Sequence, residues 1–256
     1  MRMISAVVLV HNDEKTLPST LSSLAWCNEI IVINDSSTDG SPELAKKSGA
    51  KVFDRPLEAD FAAQRNFGLS KARGDWVFFV DSDETVPVAL RDEILITLNN
   101  TTSSGFMLKR EDILFGRRMK YGETADVRLL RLAKKNAGKW VRPVHEVWEI
   151  EGEVGQMSNP IEHTPHETIS EFLTEINRYT TMNANYLYLQ NIQEPVINIV
   201  LFPVAKFFKN YIVLKGYKDS TQGMILAIMM SFHSFLTRSK LFLLWHKQTV
   251  PLPTNS

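Results

Sequence analysis

Trp76-Val77-Phe78-Phe79-Val80-Asp81-Ser82-Asp83-Glu84 is the stretch on which the fold turns. Five apolar residues in a row predict a strand over 76–80 that is buried on both faces, as in a parallel sheet. Two carboxylates one residue apart at its carboxyl end can face one divalent cation, and that cation can hold a diphosphate. Hard ions such as Mg²⁺ or Mn²⁺ take oxygen ligands, commonly one or two protein carboxylates plus substrate phosphate. Asp81 and Asp83 are therefore candidates for such a site. The competing reading is a helix cap or a solvated turn, because acidic residues often cap a following helix. Pro87 and the run over 88–95 predict such a helix.

Working outward, residues 1–80 alternate strand and helix signals. Strands are predicted over 4–10, 29–34 and 51–53. Helices are predicted from Thr16 as cap through apolar positions 17, 21 and 24, over 42–48 before Gly49, and over 61–72 before Gly74. Such alternation indicates an α/β fold with helices on both faces of a parallel sheet. Ligands bind beyond the carboxyl ends of the strands in such sheets. Asn12-Asp13, Asp35 and Asp81–Asp83 all fall at those ends.

Further on the pattern changes. Residues 105–110, 128–132 and 145–150 read as antiparallel strands, with turns at Gly116 and Gly138. Residues 167–190 read as a helix with Ile169, Phe172, Leu173, Ile176 and Tyr179 along one stripe. Beyond Pro195 come three apolar stretches, 196–208, 211–214 and 224–235.

Charge and cysteine content bound the possibilities. The formal net charge of the 256 residues is zero, which argues against general nucleic-acid binding. The zero conceals an asymmetry. Residues 191–256 carry seven Lys and Arg against two acids, a net +5 that leaves −5 for residues 1–190. Cys27 is the only cysteine, so no intrachain disulfide forms. The N-terminus has the look of a signal peptide. Its apolar stretch is short, runs into His11-Asn12-Asp13-Glu14 and lacks a small-residue cleavage site, so it reads as a first strand. A cytosolic protein, or one on the cytosolic face of a membrane, is expected.

Four blocks now combine into a resemblance. Val8–Glu14, Ile31–Gly40, Gln64–Leu69 and Ala72–Glu84, in that order and spacing, resemble family 2 glycosyltransferases with the GT-A fold. Gly116-Arg117-Arg118, Asp126–Arg131, Val144-His145-Glu146 and Ile161-Glu162-His163 are similar to a bacterial subgroup that includes β-1,4-glucosyltransferases of the lipopolysaccharide core. Pro203, Tyr211, Lys215–Ser220, Gly223-Met224 and Lys240 fit the same subgroup. Asn34 stands where Asp is frequent, which removes a contact near the ribose. Ser36 stands where Gly is frequent, which stiffens the turn.

The resemblance implies a GT-A mixed sheet flanked by helices over 1–190, with a nucleotide-sugar half (1–100) and an acceptor half (101–190). Residues 191–256 form a helical, membrane-associating tail. It implies an inverting hexosyltransferase that uses a UDP-sugar such as UDP-glucose and a divalent metal, Mg²⁺ or Mn²⁺, to extend a bacterial glycolipid, the lipopolysaccharide inner core. A polyprenyl-phosphate or other cell-envelope transferase is the alternative, and a non-catalytic sugar-nucleotide-binding scaffold a third.

Roles follow for single residues. Asp35 is assigned to the ribose or base, with His11 and Asn12 lining the same pocket; the rival role for Asp35 is turn formation. Arg65 is assigned to the diphosphate or base, against an exposed helix charge. Asp83 is assigned to the metal, and Asp81 to the ribose or a metal-bound water. The resemblance makes His163 a further metal ligand, against a packed or solvent-facing loop histidine. A carboxylate near the acceptor hydroxyl can take its proton; Glu146 is the first choice and Asp126 the second. Glu146 as an ion-pair partner of Arg142 or Arg128 is the competing reading. Trp140 and Trp148 either stack on acceptor sugars or belong to the core, with Trp148 assigned to the core. The apolar and basic stretches within 196–245 are expected to lie on an anionic membrane surface, against packing on the catalytic domain or a dimer interface. The sequence leaves the oligomeric state open.

Overall fold

The structure is a computed structural model that describes residues 2–247. In chain order the strands are β1 (Ile4–Val10), β2 (Glu29–Asn34), β3 (Lys51–Asp54), β4 (Trp76–Asp81), β5 (Glu84–Thr85), β6 (Gly105–Leu114), β7 (Arg117–Arg118), β8 (Val127–Lys134), β9 (Gly138–Val141), β10 (Val147–Ile150), β11 (Val154–Gln156) and β12 (Ile161–His163). The helices are α1 (Leu17–Ser23), α2 (Ser41–Lys47), α3 (Phe61–Lys71), α4 (Val88–Asn100), α5 (Ile169–Leu189), α6 (Asn198–Phe208) and α7 (Ser220–Lys247).

The described residues divide into two compact units. One comprises residues up to Ile113 and Asp126–Pro165; the other comprises Leu114–Ala125 and the chain from His166 on. The division thus falls after Pro165 rather than after residue 190. The reason is that α5 buries its apolar stripe on the tail: Phe172 and Ile176 pack with Leu226 and Met229 of α7. The Lys240 ammonium also donates to Asn177 O at 2.7 Å and to Thr180 Oγ1 at 2.8 Å.

In the first unit the sheet runs β3-β2-β1-β4-β8-β6-β12-β5, with β11 beside β6. The pairs β1–β2, β2–β3 and β1–β4 are parallel, whereas β8 is antiparallel to β4 and β6. The uninterrupted apolar run of β4 is explained by its two packed faces. Trp76, Phe78 and Val80 enter one core cluster, and Val77 and Phe79 the other, where Trp140 and Trp148 also lie. Truncating a ring such as Phe78 to alanine typically costs about 3–5 kcal/mol. Helix α3 lies close on the sheet at Gly68, where a Cβ would come within 2.6 Å of Val7 Cγ1.

Several local expectations are corrected. Thr16 sits at the start of α1, but its side chain makes no capping bond. Gly138 is no turn: it begins β9, which pairs with β10, and a Cβ there would run into Glu149 O. The strand expected over 145–150 starts at Val147, because His145, with φ +55°, belongs to the loop joining β9 to β10.

In the second unit α5 opens with a capping box made by Thr168 and Glu171. The apolar stretch 224–235 is part of α7, a 28-residue helix. It buries Leu226, Ala227, Met229 and Leu241, while Met224 and Ile228 stay exposed. Residues 211–214 mostly belong to a π-helical turn, Lys209–Val213, that continues α6. Among the described residues no helix is long and apolar enough to cross a membrane. Residues 248–256 of the expected tail lie outside the described ones.

Candidate active site

The candidate site forms where β4 ends. Asp81 closes β4, Ser82 and Asp83 make the turn, and Glu84 opens β5. The turn does not cap α4, whose preceding residue is Pro87 and which has no side-chain cap. Its middle residue fastens it to the first βα turn. Ser82 Oγ donates to Asp13 Oδ2 at 2.5 Å, and Thr20 Oγ1 donates to Ser82 O at 2.8 Å. Burial, together with the neighbouring charge of Asp83, pushes the Asp13 carboxyl up against the pull of its hydrogen bonds from Ser82 and His11.

His163 is delivered by a strand rather than a loop. β12 pairs antiparallel with β5, setting His163 opposite Glu84, and parallel with β6, setting it beside Asp112. The backbone N–H of Thr164 also donates to Asp83 O at 2.9 Å. Across the imidazole, Nδ1 lies 2.8 Å from Asp112 Oδ1 and Nε2 lies 3.3 Å from Asp83 Oδ2. Arg110, two residues before Asp112 on the same face of β6, braces that carboxylate through Nε at 2.9 Å. Burial favours neutral imidazole, but the charge of Asp83 and the bond to Asp112 override it and raise the His163 pKa to about 10. Burial works against ionised Asp83 as well, and His163 holds its carboxyl below the usual range.

Beside this pair is a buried network of five charges. Arg65 on α3 donates from Nε to Glu146 Oε1 at 2.8 Å and from Nη2 to Asp81 Oδ1 at 3.0 Å. Its guanidinium lies 4.7 Å from the Trp140 ring centroid. Arg131 on β8 donates from Nη1 to Asp81 Oδ1 at 3.1 Å and from Nη2 to Asp81 Oδ2, and Nη2 lies 3.4 Å from Glu84 Oε1. Glu84 is fully buried and accepts the Asp81 backbone N–H at 2.9 Å. Burial raises the Glu84 pKa. It would also raise that of Asp81, but the two guanidinium groups hold Asp81 well below the usual carboxylate range. An ionised carboxylate has about four lone-pair sites. The arginines occupy three on Asp81, so one on Oδ2 remains open.

The third group lies at the ends of β1 and β2. His11 Nδ1 is 2.5 Å from Asp35 O, and Asn12 Oδ1 accepts from Thr38 N–H at 2.7 Å. Asp35 Oδ1 accepts the Leu57 N–H at 2.7 Å, which orders the chain after β3. Asn34 turns to Asp54 Oδ1, 2.8 Å away. Ser36 adopts φ +53°, the left-handed conformation that a glycine would take without strain.

The structure thus brings together Asp81, Asp83, His163, Arg65 and Glu146, and places His11, Asn12 and Asp35 at the neighbouring strand ends. Arg65 is not an exposed helix charge, and Glu146 pairs with neither Arg142 nor Arg128. His163 is not on a loop. Trp140 and Trp148 stack on each other in the core at 5.3 Å, so neither is placed to meet a sugar. Asp126 is set apart, its side chain 74% exposed and paired with Arg128 at 3.2 Å. Sequence reasoning gave no role to Arg131, Glu84, Asp112 or Ser82. Glu84 and Ser82 lie inside the acidic turn. Arg110 and Asp112, two apart on a strand, carried the alternation signal of a shared face.

Two observations bear on ligands. Among the described residues no group of three or more His, Cys, Asp or Glu side chains is arranged to hold a metal ion by itself. Arg65 Nη1 and Arg131 Nε are buried without a hydrogen-bond partner. An unsatisfied buried guanidinium N–H costs free energy that an anionic ligand would recover.

Residues 5–123 match the family model described as glycosyl transferase family 2. The protein is a glycosyltransferase. It is 26% identical over 253 residues to the lipopolysaccharide core biosynthesis glycosyltransferase LpsC of Rhizobium meliloti, covering 93% of this chain and 92% of that one. Among solved structures, S. aureus TarS 1-349 in complex with UDP-GlcNAc is similar over 96% of this chain and 87% of its own, at 14% identity and a TM-score of 0.48. Glucosyl-3-phosphoglycerate synthase from Mycobacterium tuberculosis is similar over 43% of this chain and 44% of its own, at 26% identity and a TM-score of 0.37. Both structural likenesses are loose.

Proposed function

We propose that the protein moves a hexosyl group from a UDP-sugar to a hydroxyl of a bacterial glycolipid, the lipopolysaccharide inner core, with inversion at the anomeric carbon. The observation that carries this reading is the pair Asp83–His163, set beside the buried Arg65–Asp81–Arg131 network at the end of β4. The LpsC relative, aligned along nearly the whole chain, supports the glycolipid acceptor.

Asp35 receives the nucleoside, with His11 and Asn12 lining the pocket. Arg65 directs its unpartnered Nη1 to the diphosphate. Asp83 and His163 would hold Mg²⁺ or Mn²⁺ through Oδ2 and Nε2. Two ligands suit an ion whose remaining positions are filled by diphosphate oxygens and water. Asp112 accepts the Nδ1–H of His163 and fixes the ring, so that loss of the Nε2 proton on metal binding would leave its lone pair for the ion. When bound, the ion supplies positive charge that stabilises the departing nucleoside diphosphate. Asp81 anchors both arginines, and its open lone pair faces the ribose or a metal-bound water.

Glu146 is the general base. Arg65 fixes Oε1, so Oε2 is left to accept the proton of the acceptor hydroxyl as oxygen attacks the anomeric carbon and the carbon–phosphate oxygen bond breaks. Its place in the cluster favours it over the outlying Asp126. A glycolipid acceptor places the enzyme peripherally on the cytosolic face of the inner membrane.

The test is a nucleotide-sugar turnover screen with Mn²⁺, Mg²⁺ or EDTA. Metal-dependent turnover of one UDP-hexose is expected. Folded protein that binds no nucleotide sugar would sink the reading.

A further inference from the structure

One surface of the second unit is unlike the rest of the molecule. Val200, Leu201, Val204, Phe208, Ile212 and Val213 recur at helical spacing along α6 and the π-helical turn, and all are exposed. Val200 is 59%, Phe208 55% and Val213 69% accessible. The opposite side of the helix is already covered. Pro203 and Asn210 are buried, Ser231 Oγ of α7 donates to Pro203 O at 2.7 Å, and the Arg238 guanidinium lies 4.0 Å over the Phe202 ring. The ridge is therefore what remains after α6 has packed. An exposed apolar strip of this size marks an interaction surface.

The charge around the ridge identifies its partner. Residues 195–218 contain four lysines and no acid, and residues 114–122 contain three basic residues and no acid. The structure puts these segments side by side. Arg117 Nη2 donates to Lys218 O at 3.5 Å, Asp219 accepts the backbone N–H groups of Lys120 and Tyr121 at 2.9 and 2.8 Å, and the Gly122 N–H donates to Leu214 O at 3.0 Å. Lys206 is neutralised by Glu123 at 2.5 Å. Arg117, Arg118, Lys120, Lys215 and Lys218, all exposed, make a basic collar at the end of the ridge.

We infer that the α6 ridge enters the acyl–headgroup boundary of a lipid bilayer while its basic collar binds anionic headgroups. Apolar helix faces flanked by Lys and Arg dock in this way, parallel to the membrane. Each basic residue near an anionic leaflet strengthens the attraction. A second copy of the chain suits the surface less well, because residues 195–218 and 114–122 hold no acid that could meet the partner's basic collar. The inference specifies the membrane side of the proposed glycolipid reading and rests on it only for the purpose of docking.

The experiment is co-sedimentation of the full chain with phosphatidylcholine vesicles, with and without phosphatidylglycerol, alongside light scattering. Binding to the anionic vesicles that weakens with salt is expected. Val204→Glu with Phe208→Glu should abolish it. Lys215→Gln with Lys218→Gln should weaken it at least about tenfold. Circular dichroism and UDP-sugar turnover, which these residues do not touch, should stay unchanged and show that the variants are folded. Wild-type protein that ignores both vesicle types, or variants that bind as well as wild type, would overturn the inference. So would a dimer that dissociates in the Val204→Glu/Phe208→Glu variant, since the ridge would then belong to a second copy. Vesicle binding without sugar-nucleotide turnover would defeat the transferase reading and leave this one standing.

Discussion

Arg65 and Glu146, 81 residues apart in sequence, meet through a 2.8 Å hydrogen bond from guanidinium Nε to carboxylate Oε1. The same guanidinium binds Asp81 at 3.0 Å, so one cation bridges the acidic turn and the candidate base. Replacing Arg65 with methionine keeps bulk over Trp140 and removes the charge. Two carboxylates then lose a buried partner, which should destabilise the fold by about 3 kcal/mol. Urea unfolding of wild type and variant measures this. A variant as stable as wild type would show that the network adds nothing to folding.

Asp112 acts on the proposed ion only through His163, whose Nδ1 lies 2.8 Å from its Oδ1. Asp112→Asn should weaken Mn²⁺ binding in the presence of UDP by about 10–100-fold, the usual effect of losing such an orienting carboxylate. Calorimetric titration reads this without any turnover. Unchanged affinity would remove His163 from the metal site or Asp112 from its support.

Glu146→Gln retains an oxygen for Arg65 but cannot accept a proton. The kcat should fall by about 10²–10⁴-fold with donor affinity kept. Asp126→Asn should leave both near wild type. The reverse pattern would transfer the role to Asp126.

Stability should depend on pH through Glu29, far from the site. Its Oε2 accepts from Lys51 Nζ at 2.7 Å, and its Oε1 from Ser5 Oγ and the Arg73 N–H, both at 2.6 Å. Burial pushes its pKa up, but these three bonds outweigh it and bring the pKa below 4.5. A carboxyl with a depressed folded-state pKa contributes stability that is complete above the unfolded value. That contribution disappears as the pH falls through 4.5 toward the folded value. Denaturation midpoints of Glu29→Gln should therefore fall less steeply than those of wild type across this window. Parallel slopes would refute the assignment.

The first 80 residues were readable because β1, β2 and β4 are runs of apolar residues filling two core faces, and each turn carries its own polar signal. The Asp81–Glu84 turn and the Asn12 and Asp35 strand ends were visible for the same reason. What escaped was set by distant partners. β9, β11 and β12 have three or four residues each and exist because β10, β6 and β5 pair with them. Gly138 looked like a turn because a glycine needed for close strand approach has the same letter as one needed for a bend. Arg131 reads as one more basic residue on a strand; its burial against Asp81 and Glu84 is a property of the sheet order. The π-helical turn after α6 leaves no local mark.

The long spans of these contacts bear on how the protein is made. Ser82 reaches back 69 residues to Asp13, Arg131 reaches back 50 to Asp81, and His163 reaches back 51 to Asp112. Chains leave the ribosome amino end first. The acidic turn is therefore synthesised well before Arg131, Glu146 and His163. Until they arrive, Asp81, Asp83 and Glu84 lack most of the partners that brace them, with Arg65 and Arg110 the cations already made. The turn therefore gains its full set of side-chain partners only when β8 and β12 have joined the sheet, so a chain truncated before Arg131 leaves the acidic turn largely unbraced.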